Sequence, residues 1–283
     1  RLAKVTDPLG GSVSLNPVVH PKGDYVLVDD GQFAKVVDNR EDSPTFRTVI
    51  DSIAIDTSNP ADPLGWFGFT RAFTPDGKLV YTHNRRVLNY YDAELGSPTF
   101  GQRLGTVDFS AIDPTNGLFQ FDGLRELNIS PTGELLFVGA NLYESTAVVP
   151  LTGASANQAT TFLDPIGGDT SGRFRFHPNG RWAFFVTSGG SLEVLNLDPF
   201  LPDYLASVLF ISSVGSGETF QDVAVSPDGS GLWAVTREGG LGGQWNMWWA
   251  EFVDDPTDIN FTRSQVLEVA SPTGNARIEL HPN

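Results

Sequence analysis

The sequence predicts an all-β chain built as a β-propeller of four-stranded antiparallel blades. Three observations lead there. A Pro-x-Gly turn between two apolar runs recurs, with its prolines 54, 56, 47, 49 and 55 residues apart. Glycine and proline supply 49 of the 283 residues, a density of chain breakers that leaves little room for long helices. The longest apolar stretches, such as Leu135 to Ala140 and Trp182 to Val186, have the length of strands and fall far short of a membrane span.

The repeats share one form: alternating apolar residues, the turn, then a second apolar run. They cover Asn16 to Val28, Arg71 to Tyr81, Leu127 to Val138, Phe174 to Val186 and Val223 to Val235, and a sixth opens as Ile278-Glu-Leu-His-Pro-Asn. The turn prolines are Pro21, Pro75, Pro131, Pro178, Pro227 and Pro282. Proline presets φ at the first central position, Asp or Asn suits the second, and glycine takes the positive φ that closes the hairpin. Two more strand-like runs follow in each unit, for example Ser191 to Leu197 and Leu205 to Ile211 in the fourth, or Trp245 to Phe252 and Ser264 to Val269 in the fifth. Four antiparallel strands in about fifty residues is the sequence form of a propeller blade.

The expected arrangement is a single propeller domain over 1–283, with blades at 12–66, 67–122, 123–171, 172–218 and 219–274. A partial blade remains, 275–283 with 1–11. Arg1 to Thr6 reads as a fourth strand and Arg277 to Leu280 as a first strand, without the middle two. This favours a chain that is part of a longer, six- to eight-bladed ring, over an open arc sealed by a protein partner.

These segments resemble the Pro-Asp-Gly propeller repeats of the YVTN, lactonase-like and TolB-like families. Ser226-Pro-Asp-Gly is the best copy, while the Tyr-Val-Thr-Asn element is degenerate, as Tyr81-Thr-His-Asn, Phe185-Val-Thr-Ser and Ala234-Val-Thr-Arg. The resemblance spans nearly the whole chain at the level of the repeat, and it implies the propeller fold. For a lactonase-like relative it would also imply a central divalent ion that polarises a lactone carbonyl or activates water.

Composition narrows the function. With 34 acidic against 18 basic residues and a net charge of −16, the surface repels phosphate backbones and anionic membranes. Neither nucleic acid binding nor membrane insertion is expected. The absence of cysteine removes disulfides, thiolate metal sites and covalent haem attachment, and fits an extracellular, periplasmic or cell-surface location. No phosphate loop, nucleophile elbow or zinc-protease helix occurs, and no catalytic residue is assigned.

Two clusters stand out as candidate sites. Five residues before the turn prolines lie Asn16, Thr70, Glu126, Arg173, Asp222 and Arg277, the last four alternating in sign. Their place on first strands sets them near the central channel, together with Asn128 and Arg175. They read either as an inter-blade ion-pair ring or as an axial site in which Glu126, Asn128 and Asp222 offer oxygen donors to a hard cation such as Ca²⁺. The second set belongs to face loops: Asp29, Asp30, His83, Arg85 and Arg86, beside Asn84, read as a spot for an anion or substrate or else as a solvated loop with local ion pairs, and Trp66 reads as a ring that stacks on a sugar or anchors a protein, or else as ordinary blade packing. His20, His177 and His281 share the slot before the turn proline, where hydrogen bonding within the turn is expected. The expected function is a non-catalytic, exported or cell-surface scaffold for binding and assembly. A metal-dependent lactonase-like hydrolase and a cofactor-free subunit of a redox complex are the alternatives.

Overall fold

A computed structural model describes residues 17–29, 33–54, 70–83, 88–112, 124–140, 146–163, 170–214, 217–239, 243–252 and 259–266. Among these residues there are twenty strands and no helix. The strands form five four-stranded antiparallel sheets, in each of which the strands lie side by side in chain order. The first sheet holds β1 (Val18–Val19), β2 (Tyr25–Asp29), β3 (Phe33–Asp38) and β4 (Val49–Ala54). The second holds β5 (Arg71–Phe73), β6 (Leu79–His83), β7 (Leu88–Asp92) and β8 (Arg103–Thr106). The third holds β9 (Leu124–Ile129), β10 (Leu135–Ala140), β11 (Thr146–Pro150) and β12 (Thr161–Phe162). The fourth holds β13 (Thr170–Phe176), β14 (Trp182–Thr187), β15 (Leu192–Asn196) and β16 (Ser207–Ile211). The fifth holds β17 (Glu218–Val225), β18 (Gly231–Glu238), β19 (Trp245–Phe252) and β20 (Ile259–Val266).

The chain divides into two compact units, 1–162 and 163–283. The first contains three sheets and the second contains two. Within each unit the sheets pack face to face, and the period-2 alternation of side chains decides what meets what. In the second sheet Val80 and Tyr91 face the first sheet's Tyr25, Leu27, Ala34 and Val36. Their neighbours Tyr81 and Leu88 face the third sheet's Leu127, Leu136, Val138 and Ala147. In the second unit Phe184, Val186, Leu192 and Val194 of the fourth sheet pack on Phe220, Val223, Leu232 and Ala234 of the fifth.

Strands covered on both faces need no polar side, which is why β14 (Trp-Ala-Phe-Phe-Val-Thr) and β15 are buried at every position. The fourth strands lie at a sheet edge and are less buried: β4 has Val49, Asp51 and Ala54 exposed, Ile50 and Ser52 half-buried and Ile53 buried. Polar side chains on such an edge discourage pairing with foreign strands.

Candidate functional site

The five Pro-x-Gly turns are built alike. In each, the glycine N–H donates to the carbonyl three residues back: Gly23 to His20, Gly77 to Thr74, Gly133 to Ser130, Gly180 to His177 and Gly229 to Ser226, at 2.8–2.9 Å. All five glycines have φ between 74° and 77°, the left-handed region that glycine enters without steric cost. The middle residue does more than tolerate its position. Asp76 Oδ1 accepts the Lys78 N–H at 3.0 Å, Asn179 Oδ1 the Arg181 N–H at 2.9 Å and Asp228 Oδ1 the Ser230 N–H at 3.0 Å. Each closes a small side-chain-to-backbone ring. The N–H of Ser230, with the Ser226 and Ser230 hydroxyls, holds the Asp228 carboxyl down to about 2.

The histidines before the prolines correct the sequence expectation. Their main bond runs to the next sheet. His20 Nε2 lies 3.0 Å from the Gly77 carbonyl, and His177 Nε2 lies 3.0 Å from the Gly229 carbonyl. A bond within the turn exists at one of them, where the Asn179 N–H donates to His177 Nδ1 at 3.2 Å. That acceptor role places the proton of the His177 ring on Nε2, so the ring donates to Gly229. His281 lies outside the described residues. At the remaining turns a hydroxyl fills the slot and works locally: Thr74, Ser130 and Ser226 accept the N–H groups of Leu79, Leu135 and Gly231 at 3.0–3.1 Å. Around His20 the first two sheets are joined further. Its ring stacks on Tyr25 at 4.6 Å and meets Phe73 edge-on at 5.3 Å. The Tyr25 hydroxyl donates to the Ala93 carbonyl at 2.7 Å, and burial, with Asp92 and Asp24 nearby, raises its phenol well above the usual range.

Between the third and fourth strands lies a second built motif, which the sequence reading passed over. Asp38 ends β3 and Asp92 ends β7, and each gathers the loop that follows. Asp38 Oδ2 accepts the hydroxyls of Ser43 at 2.5 Å and Thr45 at 2.6 Å, and both Asp38 oxygens accept from the Arg40 guanidinium at 2.9 Å. Asp92 Oδ2 accepts Ser97 at 2.6 Å and Thr99 at 2.5 Å. The Arg40 contact is the main cause that holds the Asp38 carboxyl far below the ordinary carboxylate range. For Asp92 burial pushes upward, and the bonds from Ser97, Thr99 and the Glu94 N–H outweigh it. The sequence signal was present: Asp-x4-Ser-Pro-Thr-Phe occurs at Asp38 to Phe46 and again at Asp92 to Phe100. Each such loop is closed by a residue with positive φ, namely Arg47, Gly101, Asn157 and Leu205. Their N–H groups donate to the carbonyls of Asp38, Asp92, Pro150 and Asn196 at 2.8–2.9 Å. In the fourth sheet the loop is also held by Asn196 Nδ2 to Asp203 at 2.8 Å and by an Arg181–Asp198 ion pair at 3.0 Å, and it carries Phe200 with 93% of its surface exposed.

Of the central-channel candidates, Arg175 and Asp222 come together. The Arg175 guanidinium lies 3.3 Å from Asp222 Oδ1, a bond from the fourth sheet to the fifth with both side chains more than a third exposed. Arg175, which the sequence set beside the alternating row, is a partner of Asp222. Glu126 and Asn128 share one face of β9, both half-buried, opposite Gly139 and Phe137. Glu126, Asn128 and Asp222 carry the oxygen chemistry that a calcium ion takes, and Arg175 offsets part of the charge that Asp222 would bring. Among the described residues no three His, Asp or Glu side chains are grouped to hold a metal. The side chain of Arg173 and the whole of Arg277 lie outside the described residues. So do Asp30, Trp66, Asn84, Arg85 and Arg86, while Asp29 and His83 are described in backbone only, at the ends of β2 and β6.

Two further features belong to the second unit. In the fifth sheet the Trp248 indole N–H lies 3.0 Å from the buried Glu218 carboxylate and 2.9 Å from the Thr236 hydroxyl, which itself donates to Glu218. A shallow pocket of about 280 Å³ opens where the fourth and fifth sheets meet, lined by Thr187, Ser188, Gly190, Thr219 and Gln221 among others. Its lining offers hydroxyls and an amide and no charged group, and its size is below the roughly 300–1,000 Å³ usual for ligand sites.

No family model matches the sequence, and no curated protein matches it. Solved structures do match. Hydrazine synthase from Kuenenia stuttgartiensis superposes with a TM-score of 0.60 at 15% identity, over 87% of this chain and 64% of that one. A 6-phosphogluconolactonase-like protein from Bacteroides uniformis gives 0.58 at 15% identity, over 88% and 68%. Hsv2 from Kluyveromyces lactis gives 0.53 at 12% identity, over 82% and 59%. All are β-propeller proteins. This chain has the β-propeller fold. Its five sheets are therefore blades, and the turn-to-turn bonds of His20 and His177 are blade-to-blade bonds. The chain spans about two thirds of the length of the propellers it matches.

Proposed function

We propose that this propeller is a non-catalytic scaffold for binding and assembly, acting outside the cell or at its surface with a protein partner. The observation that carries the reading is the use made of its polar side chains. His20, His177, Arg175 and Asp222 join one blade to the next, Asp38 and Asp92 organise loops, and Glu218 braces the fifth sheet from within. Groups committed in this way hold a surface rigid, and rigidity lowers the ordering cost of a partner's docking. The absence of cysteine fits a location beyond the reducing cytoplasm.

A second reading, a metal-dependent hydrolase of lactones, is favoured by the Bacteroides uniformis neighbour and by the oxygen donors Glu126, Asn128 and Asp222. A third, a cofactor-free propeller subunit of a redox complex, is favoured by the hydrazine synthase neighbour alone.

One experiment separates the first two. The purified chain is assayed against aliphatic and sugar lactones with and without millimolar Ca²⁺, Mg²⁺ or Mn²⁺, alongside Glu126→Gln and Asp222→Asn. The scaffold reading expects no metal-dependent hydrolysis and no calcium-dependent rise in melting temperature. Turnover that requires a divalent ion and is lost in both variants would overturn it.

A further inference from the structure

In the five Pro-x-Gly turns the slot before the glycine holds Lys22, Asp76, Thr132, Asn179 and Asp228. Among these turns only the fourth sets a side-chain amide there. An Asn-Gly pair carries its own reagents, and it is a chief source of the lability of asparagine. In such a pair the glycine nitrogen, with no side chain beside it, gives its proton to hydroxide and bonds to the asparagine Cγ. The Cγ–Nδ2 bond breaks, and Nδ2 takes a proton from water and leaves as ammonia. Water then opens the cyclic imide. Breaking the new N–Cγ bond gives aspartate. Breaking the bond from nitrogen to the asparagine backbone carbonyl carbon gives isoaspartate, whose main chain runs through Cγ. In sum one water is consumed and one ammonia released, with no change of oxidation state.

The folded turn engages the atoms this step needs. The Gly180 N–H donates to the His177 carbonyl at 2.9 Å, so the proton that must leave is held. Asn179 Oδ1 accepts the Arg181 N–H at 2.9 Å, which fixes the side-chain amide, and Arg181 is itself tied to Asp198 at 3.0 Å. The Asn179 N–H donates to His177 Nδ1 at 3.2 Å, and Nε2 of the same ring lies 3.0 Å from the Gly229 carbonyl of the fifth blade. His177 thus latches the turn to the next blade. Asn179 is exposed, so water and hydroxide reach it, and the turn's geometry is what restrains it. The products differ in fit. Asp76 and Asp228 already fill the slot and accept the corresponding N–H at 3.0 Å, so aspartate at 179 repeats a turn the protein uses twice. Isoaspartate lengthens the main chain by one carbon between residues 179 and 180, which draws Gly180 away from the His177 carbonyl.

We propose that Asn179 is a site of spontaneous deamidation, held back by the folded turn while His177 latches it to the fifth blade, and that its isoaspartyl product weakens that latch. The inference is independent of whether the propeller binds a partner or acts on a substrate, since it concerns chemistry the chain performs on itself.

The test is incubation of the full 283-residue chain in mildly alkaline buffer, folded and in urea, with conversion at Asn179 followed by peptide mass spectrometry. Asn116, in the sequence's other Asn-Gly pair, calibrates the rate in urea. In urea the two should convert at comparable rates, and folding should slow Asn179 severalfold. His177→Phe keeps a ring beside Phe252 and removes both nitrogen contacts, so it should speed the folded-state reaction severalfold. If that variant does not fold, urea below the unfolding midpoint of the wild type replaces it, and the rate should climb before tryptophan fluorescence changes. Isoaspartyl chains, resolved by hydrophobic-interaction chromatography after refolding, should melt below Asn179→Asp, which should melt where the wild type does. No conversion at Asn179 in urea, or equal rates for the folded and unfolded chain, would overturn the proposal. So would a rate unchanged by loss of the latch, or isoaspartyl chains as stable as Asn179→Asp.

Discussion

The imidazole of His20 stands where a side chain of residue 77 would have to be. Its Nε2 is 3.0 Å from the Gly77 carbonyl, and a Cβ on Gly77 would lie 2.2 Å from that same nitrogen. The turn glycine thus has two duties, a positive φ and a bare surface for the preceding blade. Pro75 over Gly133 and His177 over Gly229 repeat the contact, at 3.2 and 2.8 Å from the missing Cβ.

The two duties can be separated. Gly23 and Gly77 share φ near 76°, yet nothing lies within 4 Å of a Cβ on Gly23. Gly23→Ala should cost about 1–2 kcal/mol, the penalty of a left-handed alanine. Gly77→Ala should cost that and about 1–3 kcal/mol more, because the His20 bond to a buried carbonyl is also displaced. Urea unfolding of the two variants measures the difference, and equal midpoints would show that the ring moves aside freely.

Replacing the ring itself gives a complementary result. His20→Phe keeps the stacking area beside Tyr25 and Phe73 and removes the donor to Gly77. The loss should be about 1–3 kcal/mol for His20, which is almost wholly buried, and smaller for His177→Phe, where water can reach the freed carbonyl. The order of the two midpoints in urea is the observable.

Acid should loosen the loops before the sheets. The folded carboxyls of Asp38, Asp92 and Asp228 sit below their ordinary value of 3.8, so they bind protons more readily unfolded than folded. Their contribution is therefore complete above about pH 4–5 and is lost as the pH falls through the folded values, near 2 for Asp228. The unfolding midpoint should be flat from pH 7 to pH 5 with respect to these groups and decline below pH 4. Asp38→Asn should reduce that decline, and its measurement across a pH series checks the sign.

The Arg175–Asp222 bridge is expected to contribute little. Both side chains are more than a third exposed, and exposed pairs are worth about 0.2–1 kcal/mol. A double-mutant cycle with Arg175→Ala and Asp222→Ala should give a coupling in that range that shrinks in 0.5 M salt. A coupling that salt does not touch would mean the pair is shielded in the folded protein.

The legible part of the fold was its local part. The Pro-x-Gly turns, the strand lengths and the doubly buried strands follow from residues within a dozen positions of one another, and each reappears in the bonds of the five blades. The partner of His20 did not follow, because it stands 57 residues away and is fixed by how one blade sits on the next. The Arg175–Asp222 bond did not follow for a related reason: it joins side chains 47 residues apart, and a register shift interrupts β17 between Phe220 and Asp222, where an irregular residue changes which side chains face the neighbour. The Asp-x4-Ser-Pro-Thr-Phe loops were readable, since both copies stand in the sequence. They lie about twenty residues downstream of the turns on which the repeat was aligned, and only their bonds reveal what the aspartates hold.

The loop that carries Phe200 is fastened at its base by Leu205, Asn196, Asp198 and Arg181, all within the fourth blade. Its apex, at Phe200, stands almost fully in solvent. A foreign peptide spliced between Pro199 and Leu201 would be held at both ends by an existing clasp, which makes this the natural position for a displayed epitope, a fluorescent insert or a tether to a solid support.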